Sequence, residues 1–409
     1  MNYSVLDRHT LFQDLTKEIN KSQKTIVFDA YIWIDDKIGN SILQACLDAA
    51  ERGVKIFIRK DLSASIFEHT PGRSPMFFDD SLFNKRQVDF FDKKYGFLTP
   101  QTLNNLAYYI YGRKPRPVLK KNELIKKIEN HKNIYLQDVP LLNHGKLILI
   151  DDLAYVGGQC ISCDYQEWVD YNIKIEDDTV VKNIWNQILG ETENLELTDT
   201  HFVDNRFPAK GSSSKKSIHH FLKDFIDTSS EELIIEMAYL GKWYVPTLKK
   251  AIKRGVKLKI LVSKNPDTNH HTNMWVLSDL LRLKAENFEI FFTNEKMIHT
   301  KGLATKDKIT IGATNFHGAC GYFFGLNEQN IHSTNKELVD TVFSKFKNDL
   351  SNAKRVTSES ELPKWNKANA LTEIFFVYLS SYITFFNKKK ISGWRNEAVQ
   401  TLKTNLSIN

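Results

Sequence analysis

The sequence predicts an α/β protein built as a tandem duplication, each half carrying a mixed, largely parallel sheet flanked by helices. Three observations predict it. TIVFDAYIWIDDKIGNSILQACLDAAERGVKIFIRKD (25–61) is echoed by LIIEMAYLGKWYVPTLKKAIKRGVKLKILVSKN (233–265), and such internal repetition marks repeated architecture. A His-x-Lys pair follows each copy, at His144–Lys146 and His299–Lys301, each with a glycine thirteen residues after the histidine (Gly157, Gly312). At 409 residues the chain exceeds what one compact core usually serves.

The elements follow in order. A helix is expected before each copy, around Leu11–Ile19 and Ile218–Phe225. The apolar, partly β-branched run that opens each copy reads as a buried strand. Apolar residues then recur at helical spacing: Ile42, Leu43, Cys46, Leu47 and Ala50, and later Leu248, Ala251 and Ile252. Both helices end at Arg-Gly-Val-Lys, with Gly53 and Gly255 placed as capping glycines before another strand. Strand, helix, strand implies parallel strands with a right-handed crossover. Each His-x-Lys pair is expected on a later strand of its own half. A basic, serine-rich seam at 208–216 divides the chain into a first domain (1–205), a second domain (206–362) and a C-terminal segment (363–409). From Gly53 to His144 is 91 residues and from Gly255 to His299 is 44, so the first half carries an insertion within about 62–132.

Hydrophobic residues at 42% and charged residues at 26% describe a foldable, soluble chain. Four cysteines are too few for a disulfide framework, and Cys160–Cys163 alone supplies half a zinc site, so neither metal nor cofactor is expected. Charges interrupt MNYSVLDRHTLFQDL where a signal peptide needs its apolar core, pointing to the cytoplasm. A net charge of +7 suits an anionic partner, nucleic acid or an acidic membrane surface.

On a strand, residues i and i+2 share a face, so each histidine points the same way as its lysine. Two halves packed about a pseudo-twofold axis would bring two imidazoles and two ammoniums to one cleft. That set suits a phosphodiester. One neutral imidazole can attack phosphorus to form a phosphohistidine, the opposite imidazolium protonates the leaving alkoxide, and the lysines balance charge on the non-bridging oxygens.

At these residues the chain resembles the phospholipase D superfamily, with its H-x-K-x4-D and G-S-x-N motifs. HGKLILID (144–151) matches the first motif with Asp151 in place, and the resemblance gives that aspartate a supporting role in the fold. GGQC (157–160) stands for the second, with Cys160 where the family has Asn. In the second half GATN (312–315) keeps Gly312 and Asn315, while HTKGLATK has Lys306 at the aspartate position. The family's histidine-orienting acids lie farther on, which points to Asp170 in WVDYNIKIED and Glu328 in GLNEQNIH. A carboxylate on one ring nitrogen fixes the tautomer. Within the superfamily the likeness is greatest to bacterial cardiolipin synthases, through AYIWIDDKIGNSILQACLDAAERGVKI, NHGKLILIDDLAYVGG, AIKRGVKLKILV, MIHTKGLA and LNEQNI. It implies catalytic His144, Lys146, His299, Lys301, Asn315, Asp170 and Glu328, with Gly157, Gly158, Cys160, Gly312 and Thr314 on the substrate.

Lipid and nucleic acid remain as substrates. The insertion mixes aromatic residues such as Phe77, Phe90 and Tyr108 with Lys85, Arg86, Lys93 and Arg113. That composition fits a headgroup region, stacked bases or an ordinary buried subdomain. Leu371–Phe386, sixteen residues with Glu373 among them, is too short to span a bilayer and suits an interfacial helix, a core-packed helix or a dimer contact. Together they favour a phospholipid substrate at the inner face of an anionic membrane. A nuclease, or a degenerate membrane-binding homologue, is the alternative. His219–His220 and His270–His271 are read as surface or helix-face residues, because no spaced ligand set accompanies them.

Overall fold

Both copies of the repeat fold as strand–helix–strand units with parallel outer strands. The computed structural model describes residues 2–61, 122–139, 143–205, 218–316, 328–375 and 388–406. The expected seam at 208–216, residues 62–121 of the expected insertion and residues 376–387 of the C-terminal segment lie outside them. The chain divides into two compact units, one of residues 1–8, 154–159 and 166–386, the other of residues 9–153, 160–165 and 387–409.

In chain order the first elements are β1 (Tyr3–Asp7), α1 (Leu11–Lys21), β2 (Thr25–Ala30), α2 (Lys37–Glu51), β3 (Lys55–Asp61) and α3 (Glu123–Glu129). Next come β4 (Ile134–Val139), β5 (Leu147–Ile150), β6 (Leu153–Gly157), β7 (Trp168–Val169), β8 (Tyr171–Ile175), α4 (Asp178–Ile188) and β9 (Thr200–Asp204). The later elements begin with α5 (Ile218–Asp227), β10 (Glu232–Met237), α6 (Val245–Lys253), β11 (Lys257–Val262), α7 (His270–Leu281) and β12 (Phe288–Phe292). Then follow β13 (Met297–Ile298), β14 (Lys301–Ala304), β15 (Ile309–Gly312), β16 (Gln329–Ser333), α8 (Lys336–Ser351), β17 (Lys354–Val356) and α9 (Lys388–Leu406). The architecture is mixed α/β, with two large mixed sheets flanked by helices.

In the unit of residues 1–8, 154–159 and 166–386, the larger sheet runs β17-β12-β11-β10-β14-β15-β16-β9. Parallel pairing is confined to β10–β11 and β11–β12. The other ladders of that sheet are antiparallel, so it is less parallel than expected. The reason is connection length: a parallel neighbour needs a crossover such as α6, whereas four-residue turns like Thr305–Lys308 force antiparallel return. Ile235 and Leu258 lie fully buried in its core, each contributing about 1.5–3 kcal/mol by burial. Antiparallel β1-β8-β6 pairing and a short parallel β7–β13 ladder complete this unit's strands.

In the other unit β5-β2-β3-β4 repeats the plan, with β2–β3 and β3–β4 parallel and β2–β5 antiparallel. Asp36 caps α2 by accepting from the Gly39 amide at 2.9 Å. Both repeat helices end alike. Gly53 and Gly255 take φ of +102° and +92°, and the amides of Val54 and Val256 reach back to the carbonyls of Ala49 and Ala251 at 3.1 and 3.2 Å. That closure requires a left-handed residue, which glycine adopts without a Cβ penalty. Helix α9 docks on this unit: Leu402 and Ala398 are buried and the Ala398 carbonyl accepts from Gln137 Nε2 at 3.2 Å.

Candidate active site

The two-residue ladder β7–β13 positions the motif residues of the unit of residues 1–8, 154–159 and 166–386. Met297 pairs with Trp168 and Ile298 with Val169. The Val169 carbonyl then accepts from the His299 amide at 2.8 Å, the Thr300 amide at 3.1 Å and Thr300 Oγ1 at 3.2 Å. This clamp sets Asp170, the next residue, against the imidazole, with Oδ2 2.7 Å from His299 Nδ1. Asp170 and His299 are almost wholly buried, at 1% and 5% exposure. Backbone room makes the approach possible: a Cβ on Gly158 would lie 2.5 Å from Asp170 Oδ1.

The Trp168 and Tyr239 rings stand 5.3 and 6.5 Å from the imidazole. Lys301 is the first residue of β14, buried, with Nζ donating to the His299 carbonyl. Asn315 is buried in the loop after β15, and among the described residues its Oδ1 has no hydrogen-bond partner. A buried amide oxygen without a protein donor is costly, and a ligand can satisfy it. The loop is pinned by the Phe316 amide to the Tyr239 carbonyl at 3.1 Å and by Thr314 Oγ1 to Asn330 Oδ1 at 2.7 Å.

Gly157 and Gly312 occupy matching strand positions. Added Cβ atoms would meet Asn172 Oδ1 at 2.2 Å and the Gln329 carbonyl at 2.3 Å. Strand packing therefore accounts for the absence of side chains there. Glu328 is buried just before β16, and its charge helps burial hold the Tyr244 hydroxyl well above the usual range.

In the other unit, His144 is half-buried, its ring edge-on to Tyr31 at 4.7 Å. Lys146 Nζ lies 2.9 Å from the His144 carbonyl and 5.2 Å over the Tyr31 ring. Neither motif histidine lies within a strand as expected. Each precedes one, β5 or β14, because the ladder begins only where β2 or β10 offers a partner. Asp151 is structural. At φ +49° its carboxylate accepts from Ser22 Oγ and from the amides of Gln23, Lys24 and Thr25 at 2.8–3.0 Å. Its replacement, Lys306, points to solvent beside Glu231. Cys160 is a buried free thiol.

His219, read as a surface or helix-face residue, is buried on α5 with Nδ1 2.6 Å from Tyr244 Oη. Sequence reasoning also missed Tyr31, Trp168, Tyr239 and the buried acid Glu236. A single acid inside the apolar run LIIEM was the available signal for the last.

Residues 222–350 match the family model described as cardiolipin synthase, PLD-like domain. A cardiolipin synthase of Clostridium perfringens is 24% identical over 385 residues, covering 87% of this chain and 71% of that one. Cardiolipin synthase B of Escherichia coli K12 is 23% identical over 279 residues, 61% of this chain and 57% of the relative. Among solved structures, the phosphatidylserine synthase of Haemophilus influenzae superposes with a TM-score of 0.61 at 12% identity, covering 94% of this chain and 95% of that one. Duplicated βαβ units, each followed by a His-x-Lys lead-in, and a buried carboxylate on the second imidazole agree with these likenesses: residues 222–350 match a PLD-like domain of the cardiolipin synthase kind, and the chain as a whole is similar to cardiolipin synthases.

Proposed function

We propose that this protein is a phosphatidyltransferase that moves a phosphatidyl group from a phospholipid to an alcohol through a phosphohistidine, as in cardiolipin synthesis from two phosphatidylglycerols. One observation carries the reading: a buried Asp170–His299 pair, with Lys301 Nζ on the His299 carbonyl; His299 and Lys301 lie within the matched domain, as does the buried Asn315.

The roles follow from the chemistry. The carboxylate of Asp170 holds Nδ1 of His299, leaving Nε2 for proton or phosphoryl transfer. His144 attacks phosphorus, forming a P–N bond as the P–O bond to the leaving alcohol breaks. His299 as imidazolium delivers the proton to that alkoxide. It then takes the proton of the acceptor alcohol, whose oxygen displaces the histidine. Lys146, Lys301 and the Asn315 amide hold the non-bridging oxygens. Gly158, Cys160 and Thr314 are assigned to the substrate's surroundings, and Glu328, Asp170's counterpart in the duplication, to orientation. The domain plan 1–205, 206–362 and 363–409 accompanies this reading.

A membrane-surface setting is part of the proposal. Among the described residues no helix is long and apolar enough to cross a membrane. Leu371 and Phe375 are exposed, and the chain's +7 charge suits anionic lipid.

Purified protein given phosphatidylglycerol vesicles should form cardiolipin and glycerol, and His144→Ala and His299→Ala should each abolish it. Turnover surviving both substitutions would rule out the site. Plasmid cleavage without lipid turnover would favour a nuclease.

A further inference from the structure

Beyond Asp170 and His299, the same unit buries acids that the proposed chemistry does not use. Glu236 sits within β10, fully buried, opposite Gly302 of β14. By register its counterpart in the other copy is Asp29, opposite Leu147. Asp29 is gripped by Arg59 of β3 through Nε at 2.7 Å and Nη2 at 2.9 Å. The β11 residue paired with Glu236 is Leu261, so that cation has no equivalent.

Glu236 faces Asp349 of α8, Thr300 and the charge of Asp170. Asp349 Oδ2 in turn accepts from Tyr171 Oη at 2.6 Å. Arg8 and Lys345 also act on Asp349, and Asp7 on Tyr171. The nearest donor to the Glu236 carboxylate is the Thr300 hydroxyl, but that hydroxyl is directed to the Val169 carbonyl, and neither Glu236 oxygen has a hydrogen bond of good geometry among the described residues. As an acid, its O–H has Asp349 as acceptor. Burying an unpaired charge costs several kcal/mol, and a group so placed takes up a proton instead. Burial first, then Asp349, push the Glu236 carboxyl well above the usual range, and burial raises Asp349 as well.

We propose that Glu236 is a neutral acid hydrogen-bonded to Asp349, and that it is a positioning residue for His299 through Thr300 and Asp170. Thr300 is the hinge of this arrangement. Its amide and hydroxyl hold the Val169 carbonyl, and its own carbonyl accepts from Ala238, two residues beyond Glu236, at 3.0 Å. An ionised Glu236 would add negative charge beside Asp170 and draw an extra proton toward the site. A neutral one leaves Asp170 to set the imidazole alone. The effect on turnover rests on the phosphatidyltransferase reading; the protonation state does not.

Two measurements need no activity. Infrared difference spectra of the whole protein at pH 7 should show a protonated carboxyl stretch that Glu236→Gln removes. The ring titration of His299, followed by histidine-labelled NMR, should be unchanged in Glu236→Gln, because one neutral group replaces another. Absence of the carboxyl band, or a His299 midpoint lowered by about one unit on losing a negative charge, would overturn the proposal. For positioning, Glu236→Leu should cut kcat for phosphatidyl transfer about tenfold or more with KM little changed, and Glu236→Gln should restore it. Equal kcat in the wild type and Glu236→Leu would overturn the positioning role. If wild type transfers no phosphatidyl group, the functional reading falls, while the spectra and titration still decide the state of Glu236.

Discussion

Gly158 shows how closely the imidazole's orientation depends on a single missing side chain. A methyl group there would occupy the space of Asp170 Oδ1. Gly158→Ala should therefore displace the carboxylate while leaving both sheets intact. A misplacement of about 1 Å costs roughly a hundredfold in rate, so kcat should fall by about that factor with an unchanged melting curve. Wild-type kcat in this variant would show that Asp170 does not orient His299. The motif residues were legible in the sequence, because His299, Lys301 and Asn315 repeat a spacing set by a strand pair. The choice of Asp170 for His299 was not. It depends on β7 meeting β13, a two-residue ladder joining segments 129 positions apart. Glu236 left only one trace, an acid inside the apolar run LIIEM, which does not alter the strand reading and says nothing of its partners.

At the level of elements, the duplication has diverged where ends are tied down. Asp151 gathers four donors at the turn between β5 and β6, whereas Lys306 gathers none of them. Asp151→Ala should cost about 2–4 kcal/mol, since it strands several amides and a strained backbone position; Lys306→Ala should cost less than about 0.5 kcal/mol. Denaturant titration of both variants checks the contrast. On the ladder β16–β9, His332 stacks on His201 at 6.5 Å and its Nδ1 meets the Ile309 carbonyl at 2.9 Å. Burial, with Lys308 and His201 nearby, lowers His332 to about 4. The unfolded chain takes up that proton near pH 6.5, the folded chain only near pH 4, so stability falls as pH drops through this interval, by up to about 3 kcal/mol. His332→Asn should flatten that loss; an unaltered pH–stability curve would contradict it. The repeat helices were readable from period and Gly53 or Gly255. The proportion of parallel strands was not, because hairpin returns leave the apolar pattern of a strand as it is.

Across the whole molecule, two copies of one unit have kept the histidine, the lysine and the strand-packing glycine while changing their surroundings. Arg59 neutralises Asp29 in one copy, and among the described residues no cation is paired with Glu236 in the other, where Leu261 stands at the matching strand position. Cys160 replaces an amide that Asn315 retains. Such asymmetry suits a reaction in which one imidazole attacks while the other carries a proton. The most direct test is to quench the protein during turnover of phosphatidylglycerol labelled in its phosphatidyl group, then map the covalent label by mass spectrometry. The account predicts one labelled histidine, His144, with the label lost in His144→Ala. Cardiolipin formed with no histidine ever labelled would contradict it.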